Sequence, residues 1–99
     1  MPQNAIAVQA FSGSNTKLDI SAATVVKAAP GQLVTISVIT AGSTVGTAND
    51  SLTTAGASIA NQIAAIPNTA GSIQQINWKC SNGIVIVPGT GQVISVAYN

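Results

Sequence analysis

Residues 83–99 read GIVIVPGTGQVISVAYN, and this stretch decides the fold class. Two β-branched runs, residues 84–87 and 92–98, flank Pro88-Gly89-Thr90-Gly91. Strand-forming runs joined by a compact Gly/Pro cluster signal a β-hairpin. The first run is apolar throughout, which predicts a central strand buried on both faces. The second alternates, with Val93, Ser95 and Ala97 on one side and Ile94, Val96 and Tyr98 on the other. The rest of the chain is expected to cover this ribbon.

Outward from there, residues 72–80, SIQQINWKC, alternate as well. Ile76, Trp78 and Cys80 form the apolar side, and Trp78 is expected to plug the core. Asn68-Thr69-Ala70-Gly71 and Ser81-Asn82-Gly83 read as turns. Residues 52–66 carry two signals. Ile59, Ile63 and Ile66 fall at helical spacing and the alanines favour helix. Thr53, Thr54, Gly56 and Pro67 favour a loop over 53–58 and a strand over 61–66, and we adopt the second reading. Residues 41–51 are rich in Gly, Ser and Thr, with room for a short strand near 44–48.

Residues 32–40, QLVTISVIT, are the best alternating strand. Val34, Ile36 and Val38 share one face. Leu33, Thr35, Ser37 and Ile39 share the other, which is expected to be partly solvated. Pro30-Gly31 before it is a type II turn candidate, with Lys27 and Gln32 facing water. Leu18, Ile20 and Thr24-Val25-Val26 give short strand runs, broken at 21–23. In residues 1–16, Ile6, Val8 and Ala10 alternate before Ser12-Gly13-Ser14-Asn15. Three readings of this segment stand: a short first strand, a loose N-terminal arm, or an arm that pairs with a neighbouring subunit. The whole predicts an all-β fold. It is a single antiparallel β-sandwich, jelly-roll-like, of about seven or eight short strands, forming one domain over residues 1–99.

Charge is scarce. Only 5% of residues are charged, against a typical ~25%, and His, Glu and Arg are absent. Lys17, Lys27, Lys79, Asp19 and Asp50 are all the chain has. A free monomer ordinarily stays soluble through a mixed, charged surface. A surface of Ser, Thr, Asn, Gln, Gly and Ala suits close contact with another protein, so we expect a component of an assembly; the alternative is a small neutral domain kept soluble by its hydroxyls and amides. Three scattered lysines make no phosphate-binding patch, which argues against nucleic acid. No run approaches the ~20 apolar residues of a spanning helix, and no membrane partner is expected. MPQNAIAVQAF lacks the basic start of a signal peptide.

The residue types needed for chemistry are almost missing. General acid–base catalysis draws on His or a tuned carboxylate, and Asp19 and Asp50 sit in turn-like or strand-edge settings. Cys80 has only Lys79 beside it as an activator, and on a strand that side chain points to the opposite face. Cys80 is therefore read as a small core hydrophobe. One Cys and two Asp build no ordinary zinc site, so no metal or cofactor is expected. Gly89-Thr90-Gly91 lacks the Lys and helix of a phosphate loop and reads as turn glycines. Asn49-Asp50-Ser51 matches the glycosylation acceptor pattern by accident, with Asp50 capping a turn through its own backbone. Candidate interface residues are Ile6, Val8, Phe11 and Tyr98. Aromatics are enriched in such patches.

Three segments carry a family resemblance. They are TVVKAAPGQLVTISVITAGSTVGT (24–47), ANQIAAIPNTAG (60–71) and INWKCSNGIVIVPGTGQVISVAYN (76–99). Together they resemble small structural proteins encoded among phage and prophage virion genes, while residues 1–23 fit that pattern less well. The resemblance implies a non-enzymatic virion component, above all a capsid decoration (cement) protein. Its implied partners are the major capsid protein or another virion protein, and further copies of itself in a homo-oligomer. Its implied location is the virion, assembled in the host cytoplasm. The alternative is a tail, spike or head-fibre module that binds a host surface glycan. An exposed Trp78 or Tyr98 beside polar side chains in a groove would favour that alternative.

Overall fold

The computed structural model describes residues 15–99. Among them lie eight strands: β1 Asn15–Ile20, β2 Thr24–Lys27, β3 Gly31–Thr40, β4 Gly46–Asn49, β5 Gln62–Ile66, β6 Ile73–Cys80, β7 Ile84–Val87 and β8 Val93–Tyr98. One 3-10 turn, Ile59–Asn61, precedes β5. Residues 52–66 are thus a loop followed by a strand, as the Thr, Gly and Pro residues indicated.

The strands form two four-stranded antiparallel sheets, ordered β1-β8-β3-β6 (sheet A) and β2-β7-β4-β5 (sheet B). The chain is one long ribbon folded back on itself. Its rungs β1·β8, β2·β7, β3·β6 and β4·β5 alternate between the sheets. Rolling the ribbon adds the pairs β3·β8 and β4·β7. This arrangement is a jelly roll, a β-sandwich that wraps one double strand around a common core.

That topology corrects the reading of residues 83–99. β7 and β8 do not pair. β7 lies in sheet B between β2 and β4, and β8 in sheet A between β1 and β3. Pro88 to Gly91 is a corner where the chain changes sheet. The two strands make different demands. Ile84, Val85 and Ile86 are fully buried and need cover on both faces. β8 buries Ile94 and Val96 and leaves Val93, Ser95 and Ala97 on the other side. Their sheets differ accordingly, as shown below.

The corner is held by backbone contact. Gln92 N–H donates to the Gly89 carbonyl at 3.0 Å, closing a turn with Gly91 at φ 79°. A Cβ on Gly89 would collide with the Thr44 carbonyl oxygen, and one on Gly42 with the Thr90 carbonyl oxygen. Only glycine lets these two corners touch. Gln92 is completely buried. Its Oε1 accepts from Gly89 N–H at 2.9 Å, and its Nε2 donates to the Pro67 carbonyl at 2.9 Å. Asn68 grips the third chain segment, accepting from Gly42 N–H and donating to the Gly42 carbonyl, both at 2.6 Å.

The core between the sheets centres on Ile20, Leu33, Ile36, Val38, Ile66, Ile84, Ile86, Ile94 and Val96. Each buried isoleucine contributes about 1.5–3 kcal/mol relative to exposure. Leu33 departs from the sequence reading, which put it on the solvated face. A bulge between Leu33 and Thr35 resets the alternation and turns Leu33 inward. Gly31 departs too. It does not adopt a positive φ, so Pro30-Gly31 is not a type II turn. Gly31 opens β3 opposite Cys80, where a Cβ would lie 2.5 Å from the Asn99 carbonyl oxygen.

Removing the Gln92 amide strands a buried N–H and a carbonyl. Gln92→Ala is expected to cost about 2–3 kcal/mol in chemical denaturation. A loss below about 0.5 kcal/mol would show that the amide does not hold the corner.

Candidate functional site

The two sheets present opposite exteriors. On sheet B, the loop from Asp50 to Asn61 folds back over the outer face. Asn49, only 2% exposed, pins it by donating to the Ser58 carbonyl (2.9 Å) and to Asn61 Oδ1 (3.0 Å). Val85, between Val25 and Asn49 in the sheet, is fully buried although it stands outside the main core. This burial also keeps Asn49 from serving as a glycosylation acceptor.

On sheet A nothing among the described residues covers the outer face. Since Ile36, Val38, Ile94 and Val96 fill the core, Thr35, Ser37, Ser95 and Ala97 point outward. Thr16, Ala97, Thr35 and Gln75 form one cross-strand row, and Ser95, Ser37 and Ile73 the next. Leu18 (66% exposed), Ile39 (55%) and Ile73 (66%) add aliphatic surface at its margins. The face is four strands wide and uncharged across these rows.

The second feature is an edge groove. β5 and β6 are edge strands of their sheets. Between them lies a groove of about 370 Å³ lined by Asp50, Asn61, Gln62, Ile63, Trp78 and Asn82. Here the sequence reading needs its main correction: Trp78 is 49% exposed and does not plug the core. Leu33 pairs with Trp78 and Thr35 with Gln75, so three steps of β6 match two of β3. Asn77, at φ 50°, makes that bulge, a left-handed conformation that Asn tolerates. Among the described residues β6 has no strand beyond it, so the indole overhangs the gap between the sheets. Farther along this edge Gln74 Oε1 is buried without a partner, while its Nε2 reaches the Ala65 carbonyl at 3.5 Å.

Asp50 forms the end of the groove. Its carboxylate accepts from the backbone N–H groups of Ser81 (2.9 Å), Asn82 (2.8 Å) and Gly83 (3.2 Å). It therefore caps a turn more than thirty residues downstream, and not its own backbone as expected. Partial burial pushes its pKa up, but the three donors outweigh that and hold it below the ordinary 3.8. Cys80 is buried in the core, as its apolar setting implied. Burial, with the nearby Asp50 charge, pushes its thiol up to about 11. A thiol so placed is a poor nucleophile.

Lys27 and Lys79 meet at a separate cleft of about 530 Å³ with Gln32, Cys80, Ser81 and Asn99. Among the described residues no three His, Cys, Asp or Glu side chains come together as a metal site. Of the candidate interface residues, Ile6, Val8 and Phe11 lie outside the described residues, as do the first-strand reading of 6–10 and most of the N-terminal arm. Asn15, read as part of a turn, begins β1. Tyr98 is half-buried against the core, in sheet register with Asn15 and Leu33. The sequence reading named neither the bare sheet nor Gln62 and Asn82. No family model, curated protein or solved structure matches the chain.

Two outcomes follow from the charges. Alkylation of Cys80 by iodoacetamide should be negligible in the folded protein and complete once denaturant unfolds it; rapid labelling of the native chain contradicts this burial. Asp50→Asn is expected to lose about 1 kcal/mol at neutral pH. A depressed native pKa stabilises above the unfolded value and is lost as pH falls through the native one. The gap between wild type and Asp50→Asn should therefore stay constant above about pH 5 and close below the ordinary 3.8. A gap that persists at lower pH contradicts the capping role.

Proposed function

We propose that the protein is a non-enzymatic virion structural protein that decorates and stabilises a phage head. One observation carries this reading: sheet A offers a four-stranded outer face whose central rows are uncharged, while sheet B is partly covered by its own loop. A face of hydroxyls, Ala97 and marginal aliphatics meets another protein surface at a lower desolvation cost than a charged face, provided the hydroxyls find partners there. Burying it removes apolar area from water at roughly 25 cal/mol per Å², less the costs of association. A protein that binds the assembled shell better than its free subunits stabilises the shell by mass action. The segments that resemble phage virion proteins support the same role, with the major capsid protein and further copies of this chain as partners. Analogy helps as well, since jelly rolls recur among viral capsid proteins, though the fold alone assigns no role.

A second reading is favoured by Trp78. A half-exposed indole in a groove with amide side chains suits a tail, spike or head-fibre module that contacts a host glycan. Copy number separates the two. Purified virions are expected to hold the chain in hundreds of copies on the head, a number of the order of the shell's subunits. A few copies at the tail would overturn the decoration reading. Ser37→Lys places a charge at the centre of sheet A, where burial against a partner leaves it unpaired. It should reduce head binding at least tenfold, about 1.4 kcal/mol, with the melting temperature nearly unchanged. Undiminished binding would remove sheet A from the interface.

A further inference from the structure

We propose that the groove between β5 and β6 binds a neutral glycan, with one pyranose ring stacked on Trp78. This deepens the second reading by naming the site and ligand class, and it holds for a head-borne protein as well as a tail module. Some of the groove's polar groups are already occupied and others are not. Asn61 is largely committed, its Oδ1 accepting from Ser58 N–H and Asn49 Nδ2, and its Nδ2 donating one of its two hydrogens to the Gly56 carbonyl. Asp50 holds the turn at Ser81 to Gly83. By contrast, the side-chain amides of Gln62 and Asn82 make no hydrogen bond among the described residues. One stands on each wall of the groove, Gln62 on β5 and Asn82 on the turn after β6.

An exposed ring between two unengaged amides matches the two-sided chemistry of a sugar. A pyranose has an apolar C–H face, which packs on an indole, and a rim of hydroxyls that both donate and accept. Each amide offers both functions, and Asp50 Oδ2, which accepts only from Ser81 N–H, keeps one lone pair for a further hydroxyl. The volume of about 370 Å³ falls within the range of small-ligand sites, roughly 300–1,000 Å³. Charge sets the class. Asp50 is the groove's one charged lining residue, and Lys27 and Lys79 line a different cleft, so an anionic sugar is repelled. The site is also steady, since β6 is pinned to β3 and the turn to Asp50.

Trp78 is the chain's only tryptophan, so its fluorescence reports directly on the groove. The full chain would be titrated with maltotriose, cellotriose, chitotriose and lactose, with trigalacturonate as the charged comparison. At least one neutral probe should give a saturable shift with a dissociation constant of about 1 mM or tighter, and trigalacturonate none. Gln62→Ala with Asn82→Ala should weaken that binding at least tenfold and leave the tryptophan in place. Trp78→Ala should abolish it in calorimetry. Trp78→Tyr, which keeps a stacking ring, should retain part of it should the alanine variant fold poorly. No saturable change with any neutral probe up to about 20 mM would overturn the proposal, as would binding that survives Trp78→Ala. The outcomes are separable: a failed titration leaves the head position standing, and a tail position leaves the titration standing.

Discussion

Backbone presses on backbone where the corner at residues 41–45 meets the corner at 88–92, and the roll depends on that crossing. Gly42 and Gly89 leave no space for a Cβ. Gln92 lies inside the junction and satisfies Gly89 and Pro67 at once. Asn68 supplies the paired hydrogen bonds that a neighbouring strand would otherwise give Gly42. Three segments that change sheet are fixed together at one end of the sandwich. The ribbon can then wrap, and β8 comes to lie between β1 and β3 in a sheet it does not share with β7.

The two sheets acquire different exteriors as a result. The tip of the ribbon, between β4 and β5, folds onto sheet B and is tied there by Asn49, so Val85 is buried from outside. Sheet A has no such cover among the described residues, and its central outward rows are uncharged, with hydroxyls and Ala97 inside a margin of aliphatics. That asymmetry, more than any side-chain cluster, is what points to a partner surface. It also gives the scarcity of charge a place: the few charges stand on edge strands and in the turn after β4, away from the central rows of sheet A.

Strands were legible in the sequence because each depends on its own residues. The alternation of residues 32–40 and 92–98, and the all-apolar run 84–87, reappear as β3, β8 and a central β7. Pairing was not legible, because four residues such as Pro88-Gly89-Thr90-Gly91 join a hairpin or a sheet-changing corner equally well. The partner that decides between them, residues 42–46, lies more than forty positions upstream. Trp78 failed for a related reason. Simple alternation puts it on the side of Cys80, where the register keeps it, but β6 lies at an edge, which is not a property of the residue itself. Asp50 was seen as a turn cap, yet its turn is brought to it only by the fold. Of the candidate site, Trp78 was visible with the wrong exposure, while Gln62 and Asn82 carry no local signal.

The most direct test is an electron cryomicroscopy reconstruction of purified virions at a resolution that places individual strands. The account predicts this jelly roll on the head, with the Thr35, Ser37 and Ser95 face of sheet A against a neighbouring protein and the loop-covered sheet B turned away. Density that places the chain off the head, or on it with sheet A facing solvent, would contradict it.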